Sequence, residues 1–206
     1  SERGAVYPEI SYGFYPVYAD LYRVDSKVIP LKADFGVDYK DYCGIGRMTV
    51  IANPNAPTGM EISLAEIEEI LKSNPDNIVI IDEAYIDFGG TSCVALTKKY
   101  DNLLVVQTFS KSRSMAGARL GFAIADAGII EDLEKIKYST NPYNINRLTL
   151  VAGEAAVDSN DYYVENAKKI LATPKYDGCS FEVYVKKGNI ISPILPNIPI
   201  HKLPVL

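Results

Sequence analysis

Short apolar runs alternate along the chain with segments in which apolar residues recur every three or four positions. Four of these runs are apolar almost throughout and rich in β-branched residues, which is typical of strands buried on both faces. The predicted strands are residues 48–53, 77–82, 103–109 and 120–126. Residues 27–32 add a further extended segment. We therefore expect a sheet at the centre of the fold.

The clearest predicted helix follows the first of these four strands. It opens with a capping box, in which Glu66 stands three residues after Ser63. Its apolar residues share one helical face: Leu64, Ile67, Ile70 and Leu71. Helical periodicity also covers residues 16–24, 128–138 and 145–172. Strands that alternate with helices predict an α/β domain, a three-layer α/β/α architecture with a mainly parallel sheet covered on both faces.

The composition fits such a domain and argues against several other classes of protein. With 206 residues, 48% of them hydrophobic, the chain is long enough for one domain and some excess. Its net charge of -5 argues against a nucleic-acid-binding surface, which is usually basic. We find no apolar run of roughly 18 residues and no signal peptide, so we expect a cytoplasmic protein without a membrane span.

Cysteine and histidine usage narrows the chemistry further. The three cysteines, Cys43, Cys93 and Cys179, are widely separated, so we interpret them as reduced thiols rather than disulfides or metal ligands. The only histidine, His201, lies among the final residues. A histidine-based triad or a histidine zinc site in the body of the chain is therefore excluded, and no metal site is predicted.

Polar segments follow three of the predicted strands at their carboxyl ends, which is where open α/β sheets bind ligands. They are NPNAPTG at 53–59, DEAY at 82–85 and TFSKSRSMAGARLG at 108–121. Taken singly, each has an ordinary interpretation: a Pro/Gly turn, a capping carboxylate, a solvated lysine or a surface arginine. Their occurrence together, in this order, indicates a common chemical task at one edge of the sheet.

These segments resemble the aminotransferases of fold type I that depend on pyridoxal 5′-phosphate (PLP), and more narrowly the histidinol-phosphate aminotransferases. The motifs that carry the resemblance are ISYGFYPVY, NPNAPTG, IDEAY, TFSKSRSMAGARLG and NPYNIN, within roughly residues 7–172. The resemblance implies the PLP-binding large domain of this fold type. It also implies a homodimer in which both subunits contribute to each site.

The family pattern assigns catalytic roles to three residues. Lys111 would hold PLP as a Schiff base and, as a free amine, would move a proton during the reaction. Asp82 would pair with the pyridine nitrogen and keep it protonated, because a nearby anion favours the charged form. Tyr85 would donate a hydrogen bond to the 3′-oxygen of the ring.

The same pattern assigns further residues to cofactor binding. Arg119 would hold the phosphate through its planar guanidinium group. Thr108 and Ser110 flank the lysine segment, and their hydroxyls would hydrogen-bond phosphate oxygens. Tyr12 matches the aromatic residue that stacks on the pyridine ring, although from the residues alone it is one of 15 tyrosines and would be assigned to core packing.

The NPNAPTG segment departs from the common family pattern at one position. Many fold type I enzymes have asparagine directly before Pro-Thr-Gly, where it hydrogen-bonds the 3′-oxygen, whereas here that residue is Ala56. The role passes to Asn55, although a shift of one residue normally changes the direction of a side chain. We interpret Gly59 as a requirement of the turn rather than as a ligand.

The resemblance also predicts the organisation of the chain. Residues 1–172 are expected to be a partial large domain, incomplete at both ends. The glycine-containing phosphate-binding segment of the family is expected upstream of residue 1, and the arginine that binds the substrate carboxylate downstream of residue 172. Residues 173–206 form an atypical proline-rich tail in which the small domain is absent. An out-of-frame or replaced terminus and a proline-rich docking arm both remain open for it.

Three hypotheses for function follow. The first is transamination between histidinol phosphate and glutamate/2-oxoglutarate in histidine biosynthesis, with the fragment inactive alone. The second is a related fold type I reaction, either decarboxylation of a phosphorylated amino acid or transamination of an aromatic one. The third is a truncated, non-catalytic chain that binds PLP or serves in dimerisation.

Overall fold

The computed structural model describes residues 3–172 and, beyond them, two short paired strands, Val185–Lys186 and Asn189–Ile190. The chain divides into two compact units, Ser1–Ala172 and Thr173–Leu206. Cys179, His201 and the remainder of the predicted proline-rich tail lie outside the described residues. All further elements belong to the first unit.

A six-stranded sheet forms the centre of this unit. Its strands are β1 (Ala5–Pro8), β2 (Ser26–Ile29), β3 (Met48–Ala52), β4 (Val79–Asp82), β5 (Leu103–Thr108) and β6 (Gly121–Ala125). They lie in the order β2-β1-β3-β4-β5-β6, and every neighbouring pair is parallel except β5 and β6. The mainly parallel sheet predicted from the apolar runs is confirmed.

The hydrophobic pattern did not predict β1, which lies between β2 and β3. Its four residues, Ala5–Pro8, are all buried, but they are too few to show a period and they end in proline. The predicted extended segment at residues 27–32 is confirmed only in part, since β2 ends at Ile29. Pro30 follows directly and lacks the N–H that would continue the ladder.

Five α-helices accompany the sheet. They are α1 (Phe14–Leu21), α2 (Leu64–Ser73), α3 (Ala127–Thr140), α4 (Arg147–Asp158) and α5 (Asn160–Ala172). Short 3₁₀ helices cover Tyr39–Tyr42, Ile86–Phe88, Val94–Lys98 and Ala116–Ala118. Within the described part of the chain, none of the helices is both long enough and apolar enough to cross a membrane.

The helical periodicity predicted over residues 145–172 is confirmed, with one interruption at Ser159, between α4 and α5. Asp158, Ser159 and Asn160 meet at this point, and short polar side chains of this kind compete with the helix for backbone hydrogen bonds. The predicted capping box of α2 is confirmed: Glu66 N–H donates to Ser63 Oγ at 3.3 Å, and Ser63 N–H donates to Glu66 Oε2 at 2.7 Å.

One face of the sheet is packed against α2 and forms the core. Alternate strand residues point to it, so that Ile51, Ile81 and Val105 lie side by side across three parallel strands. From α2 this core receives Ile67, Ile70 and Leu71, as the helical pattern predicts, with Leu64 partly buried beside them.

The opposite face of the sheet is only partly covered by the described residues. It carries the intervening strand residues, among them Val50, Ile80 and Val106, and α1 packs over it through Tyr15 and Ala19. An apolar groove of about 290 Å³ remains between them. The two-sided cover expected from the sequence is thus complete on the α2 face alone within residues 3–172.

Candidate active site

The carboxyl ends of β3, β4 and β5 meet at one edge of the sheet, as expected for neighbouring parallel strands. Asp82 is the last residue of β4 and stands between Ala52 and Val106 in the register. Because side chains alternate along a strand, Asp82 lies on the face of Ile80, the partly covered one.

Two hydrogen bonds hold the Asp82 carboxylate. The Tyr15 hydroxyl donates to Oδ2 at 2.8 Å, and the Ala84 N–H donates to Oδ1 at 3.1 Å. Burial, followed by the negative charge of Asp82, raises the pKa of Tyr15 well above its usual range, so the hydroxyl keeps its proton. Hydrogen bonds donated to a carboxylate favour its ionised form. The end of β4 therefore presents an oriented negative charge.

An exposed aromatic side chain stands next to this carboxylate. Tyr12 is 48% exposed, and its ring meets the Tyr15 ring edge-on with centroids 5.6 Å apart. On its other side it stacks with Phe14 at 5.7 Å. Tyr12, which is predicted to stack on a flat ligand, thus contacts Tyr15, and Tyr15 in turn contacts Asp82.

The lysine segment approaches the same edge from β5. Lys111 is exposed, and its Nζ lies 5.1 Å from the centroid of the Tyr85 ring, within the range of a cation–π contact. Tyr85 follows Asp82 in the segment after β4. The structure therefore brings Lys111 to Tyr85, which stands three residues after Asp82 in the same segment, and the catalytic roles of the three residues stay a prediction.

Hydroxyl groups and an arginine lie at the end of the β5–β6 pair. Thr108 Oγ1 donates to Ser110 Oγ at 3.0 Å, and Ser110 N–H donates back to Thr108 Oγ1 at 3.1 Å. Arg119 is exposed in the left-handed region at φ 57°, and it donates to the Ala116 carbonyl at 2.9 Å. Phe109 N–H donates to the Leu120 carbonyl at 3.0 Å, which keeps the Arg119 backbone beside the Thr108–Ser110 segment.

Asn55 has a different environment from the one the family role implies. It is 2% exposed, and its Nδ2 donates to the Ile10 carbonyl at 2.9 Å and to Thr58 Oγ1 at 3.0 Å. Its Oδ1 accepts from Ser11 Oγ at 2.7 Å. Both amide hydrogens are used within the protein, so a contact with a ligand oxygen requires one of these bonds to be exchanged, and the predicted role stays a prediction.

The turn around Asn55 fixes the loop in front of Tyr12. Ile10 and Ser11, the partners of Asn55, directly precede Tyr12 in the chain. Gly59 closes the turn at φ 70°, where a side chain would be strained, which confirms its predicted role in the backbone. The NPNAPTG segment therefore shapes the site through the backbone of a neighbouring loop.

Sequence reasoning missed Arg113, which attaches the lysine segment to the helices. Its NH1 donates to the Ala156 carbonyl at 3.3 Å and its NH2 to Asn160 Oδ1 at 2.8 Å. Its Nε lies 3.8 Å from Asp87, which also accepts a hydrogen bond from Ser112. Alternation of arginine with serine in SKSRS gave no sign that this side chain turns inward.

Sequence reasoning also missed Tyr15, which holds Asp82, and Glu83, which lies on the opposite face of the sheet. A usable signal for Tyr15 was its position three residues after Tyr12, in the turn that opens α1. For Glu83 the signal was strand alternation, since it follows Asp82 and must face the core. Its three hydrogen bonds are compared with those of Asp82 in the Discussion.

The donor set fits a flat heteroaromatic phosphate. A held carboxylate suits a protonated ring nitrogen, an exposed tyrosine suits a ring face, and hydroxyls with an arginine suit a phosphate. An exposed primary amine beside Tyr85 suits an aldehyde carbon. Among residues 3–172, no three His, Cys, Asp or Glu side chains gather in a group that could hold a metal ion.

Comparisons with known proteins agree with this class of site. The family model for aminotransferases of classes I and II matches residues 1–190, and the chain belongs to this family. That match reaches past residue 172, where we expected the resemblance to end.

The names of similar proteins are more specific than the family model. The chain is 51% identical over 191 residues to the histidinol-phosphate aminotransferase of Brachyspira hyodysenteriae, covering 90% of this chain and 54% of that protein. It is 53% identical over 172 residues to that of Lactococcus lactis subsp. cremoris, covering 84% and 48%. The chain thus spans about half the length of these curated relatives.

Solved structures support the fold. The histidinol-phosphate aminotransferase of Clostridium acetobutylicum matches with a TM-score of 0.69 at 29% identity, over 79% of this chain and 50% of that one. A further match is the Sinorhizobium meliloti enzyme, solved in complex with PLP, with a TM-score of 0.73 at 21% identity over 81% and 47%. At that identity the second match supports the fold alone.

Proposed function

We propose that this chain carries the cofactor-binding half of a PLP-dependent aminotransferase site, which exchanges amino groups between histidinol phosphate and glutamate/2-oxoglutarate. The observation that carries the proposal is the held carboxylate of Asp82 at the end of β4, together with the contact between Lys111 and Tyr85 in the segments that follow β5 and β4. The names of the relatives at 51% and 53% identity support the substrate assignment.

The proposed chemistry divides between the cofactor and the chain. When bound, PLP supplies an electron-withdrawing ring that stabilises negative charge on the substrate Cα. Lys111 Nζ would hold PLP through its aldehyde carbon and, as a free amine, would move the proton at the substrate Cα. Its position against the Tyr85 ring limits the directions in which the amine can reach.

The other residues hold the ring in place. The Asp82 carboxylate keeps the ring nitrogen protonated, and the Tyr85 hydroxyl donates to the ring oxygen. Arg119, Ser110 and Thr108 bind the phosphate, and Tyr12 covers one face of the ring. In this proposal Asn55 contacts the ring oxygen after it exchanges one of its internal hydrogen bonds.

The test is cofactor binding with a lysine control. The protein is expressed from the complete reading frame that contains these residues and is incubated with PLP. We expect an absorbance band near ~420 nm, the general signature of PLP bound to a lysine. After borohydride reduction, mass spectrometry should place the added mass on Lys111. Lys111→Ala should lose both signals, and a band that persists in this variant would overturn the assignment.

Measuring turnover with different substrates distinguishes histidinol-phosphate transamination from the alternative functions. Mixing the loaded protein with histidinol phosphate and 2-oxoglutarate should produce glutamate, whereas an aromatic or phosphorylated amino acid as the preferred substrate would favour a related reaction. The 206-residue chain is assayed beside it. A band without glutamate formation in the short chain alone would support cofactor binding without catalysis for that length of chain.

We also infer that the protein acts as a homodimer in the cytoplasm. Large apolar side chains that remain exposed on α1 and α4 support an association. They are Phe14, Val17, Tyr18 and Leu21 on α1 with Tyr22 directly after it, and Leu148, Val151 and Val157 on α4. Light scattering after size exclusion should give twice the mass of the chain, and a monomer at micromolar concentration would contradict the inference.

A further inference from the structure

The hydrogen bond between Tyr15 and Asp82 is an unusual link in the site. It joins the second residue of α1 to the last residue of β4, across 67 positions of the chain, at 2.8 Å. Asp82 Oδ2 accepts this bond, while Oδ1 accepts the Ala84 N–H. The hydroxyl and the backbone N–H thus fix both oxygens of the carboxylate that faces the site.

The Tyr15 side chain is itself held in place. Its ring lies between those of Tyr7 and Tyr12, with centroid distances of 6.1 and 5.6 Å. Tyr15 N–H donates to the Tyr12 carbonyl at 3.2 Å, in the turn that opens α1. Burial and the charge of Asp82 raise the pKa of Tyr15, so its hydroxyl stays a donor while the protein is folded. The geometry leaves Asp82 as its acceptor.

We propose that Tyr15 is a positioning residue that acts through Asp82. Its hydroxyl fixes the rotation of the carboxylate, so that Asp82 would present its remaining accepting capacity to the ring nitrogen of PLP. Each carboxylate oxygen accepts more than one hydrogen bond, so the tyrosine and the ring are not competitors. The inference rests on the proposed function, because it concerns the same cofactor.

The alternative is that Tyr15 only fills space between α1 and the sheet. The substitution Tyr15→Phe distinguishes the positioning role from the space-filling role, because it removes the hydroxyl but keeps the ring and its packing. Tyr7→Phe is a matched control: Tyr7 belongs to the same aromatic group, but its hydroxyl donates to Ser26 Oγ at 3.1 Å, away from Asp82.

The first measurement is the PLP dissociation constant of the protein from the complete reading frame. We expect Tyr15→Phe to raise it about tenfold, the usual effect of losing a hydrogen bond to a charged group. Tyr7→Phe should stay within about twofold. Tyr15→His, which keeps an N–H donor, should recover part of the affinity.

The second measurement is a double-mutant cycle. In an Asp82→Asn background, Tyr15→Phe should have no further effect on the dissociation constant, because its target charge is gone. Equal effects of Tyr15→Phe with and without the Asp82 charge would overturn the inference, and so would equal affinities of Tyr15→Phe and Tyr7→Phe.

A cofactor-free measurement tests the contact itself. In protein labelled with ¹³Cζ-tyrosine, NMR should show a shifted Tyr15 resonance in Asp82→Asn, because the acceptor of its hydroxyl has lost its negative charge. An unchanged Tyr15 resonance would overturn the inference. If the unmutated protein fails to bind PLP, the proposed function fails; if it binds and Tyr15→Phe binds equally well, this inference fails alone.

Discussion

Asp82 and Glu83 are neighbours in the chain, yet they face opposite sides of the sheet and have opposite kinds of surroundings. Glu83 is 1% exposed and accepts three hydrogen bonds, from Ser92 Oγ at 2.8 Å, from Cys93 N at 2.7 Å and from Gln107 Nε2 at 2.7 Å. Asp82 lies at the partly covered face, with one bond to each oxygen.

The difference separates a carboxylate that serves the fold from one that serves a ligand. The donors around Glu83 are neutral, they come from elements of the same unit, and they attach residues 92–93 to the end of β4. Burial, and secondarily the charge of Glu83, raise the pKa of Cys93, so that thiol is a packed group and not a nucleophile. At Asp82 accepting capacity remains, and Tyr15 links the carboxylate to the exposed ring of Tyr12.

The strongest way to test this comparison is Asp82→Asn, which keeps the shape and removes the charge. We expect the turnover rate to fall about 10²–10³-fold, the usual cost of removing one electrostatic contact from a site. The free energy of unfolding should fall by only about 1 kcal/mol, because asparagine keeps one acceptor oxygen for the two donors, the Tyr15 hydroxyl and the Ala84 N–H. Steady-state kinetics and urea unfolding measure the two quantities.

The matched substitution on the other face is Glu83→Gln, and its effects should be reversed. The free energy of unfolding should fall by about 1–3 kcal/mol, because the amide offers one acceptor where three donors converge. The turnover rate per folded molecule should stay within about twofold. If Glu83→Gln abolished PLP binding without destabilising the chain, the division between the two carboxylates would be wrong.

The sequence alone predicts much of this comparison, but not all of it. Apolar runs and helical periodicity identify β3, β4, β5, β6 and α2, because each has enough residues to show a period. β1 escapes because four buried residues show none. The break between α4 and α5 escapes because the apolar period continues through Ser159, while the interruption depends on local hydrogen bonding.

At the site, too, the sequence predicts local motifs but not the contacts made by tertiary packing. Lys111, Asp82, Tyr85 and Arg119 stand in contiguous motifs, so their residue types and order are visible in the chain. The contact of Tyr15 with Asp82 spans 67 positions and depends on how α1 packs on the sheet, which no local pattern records. The reach of Arg113 to Ala156 and Asn160 depends in the same way on tertiary packing.

A smaller effect is expected from Arg113→Lys. This change keeps the positive charge but removes the two guanidinium hydrogen bonds that join the lysine segment to α4 and α5. We expect amide hydrogen exchange in residues 109–115 to become about tenfold faster, which corresponds to the loss of one to two hydrogen bonds. Mass spectrometry of exchanged peptides measures it. Lys135→Ala is the control, because Lys135 pairs with Asp132 at 2.9 Å on the exposed helix α3. Equal protection in the Arg113 variant and the unmutated protein would contradict the role.

The smallest effect should come from Glu68, a partly exposed carboxylate on α2 that extends the comparison to a third environment. Hydrogen bonds from Lys99 and Tyr100 lower the pKa of Glu68 from 4.5 to about 2. Because the folded pKa lies below the unfolded one, the contribution of Glu68 to stability is present above pH 4.5 and is lost as the pH falls toward 2. Glu68→Gln should therefore lower the unfolding midpoint slightly at pH 6 and not at all near pH 2. Since solvent screens exposed pairs, added salt should reduce the difference, whereas it should leave the effect of Glu83→Gln almost unchanged. A salt-sensitive Glu83 effect would show that this carboxylate, too, is accessible to solvent.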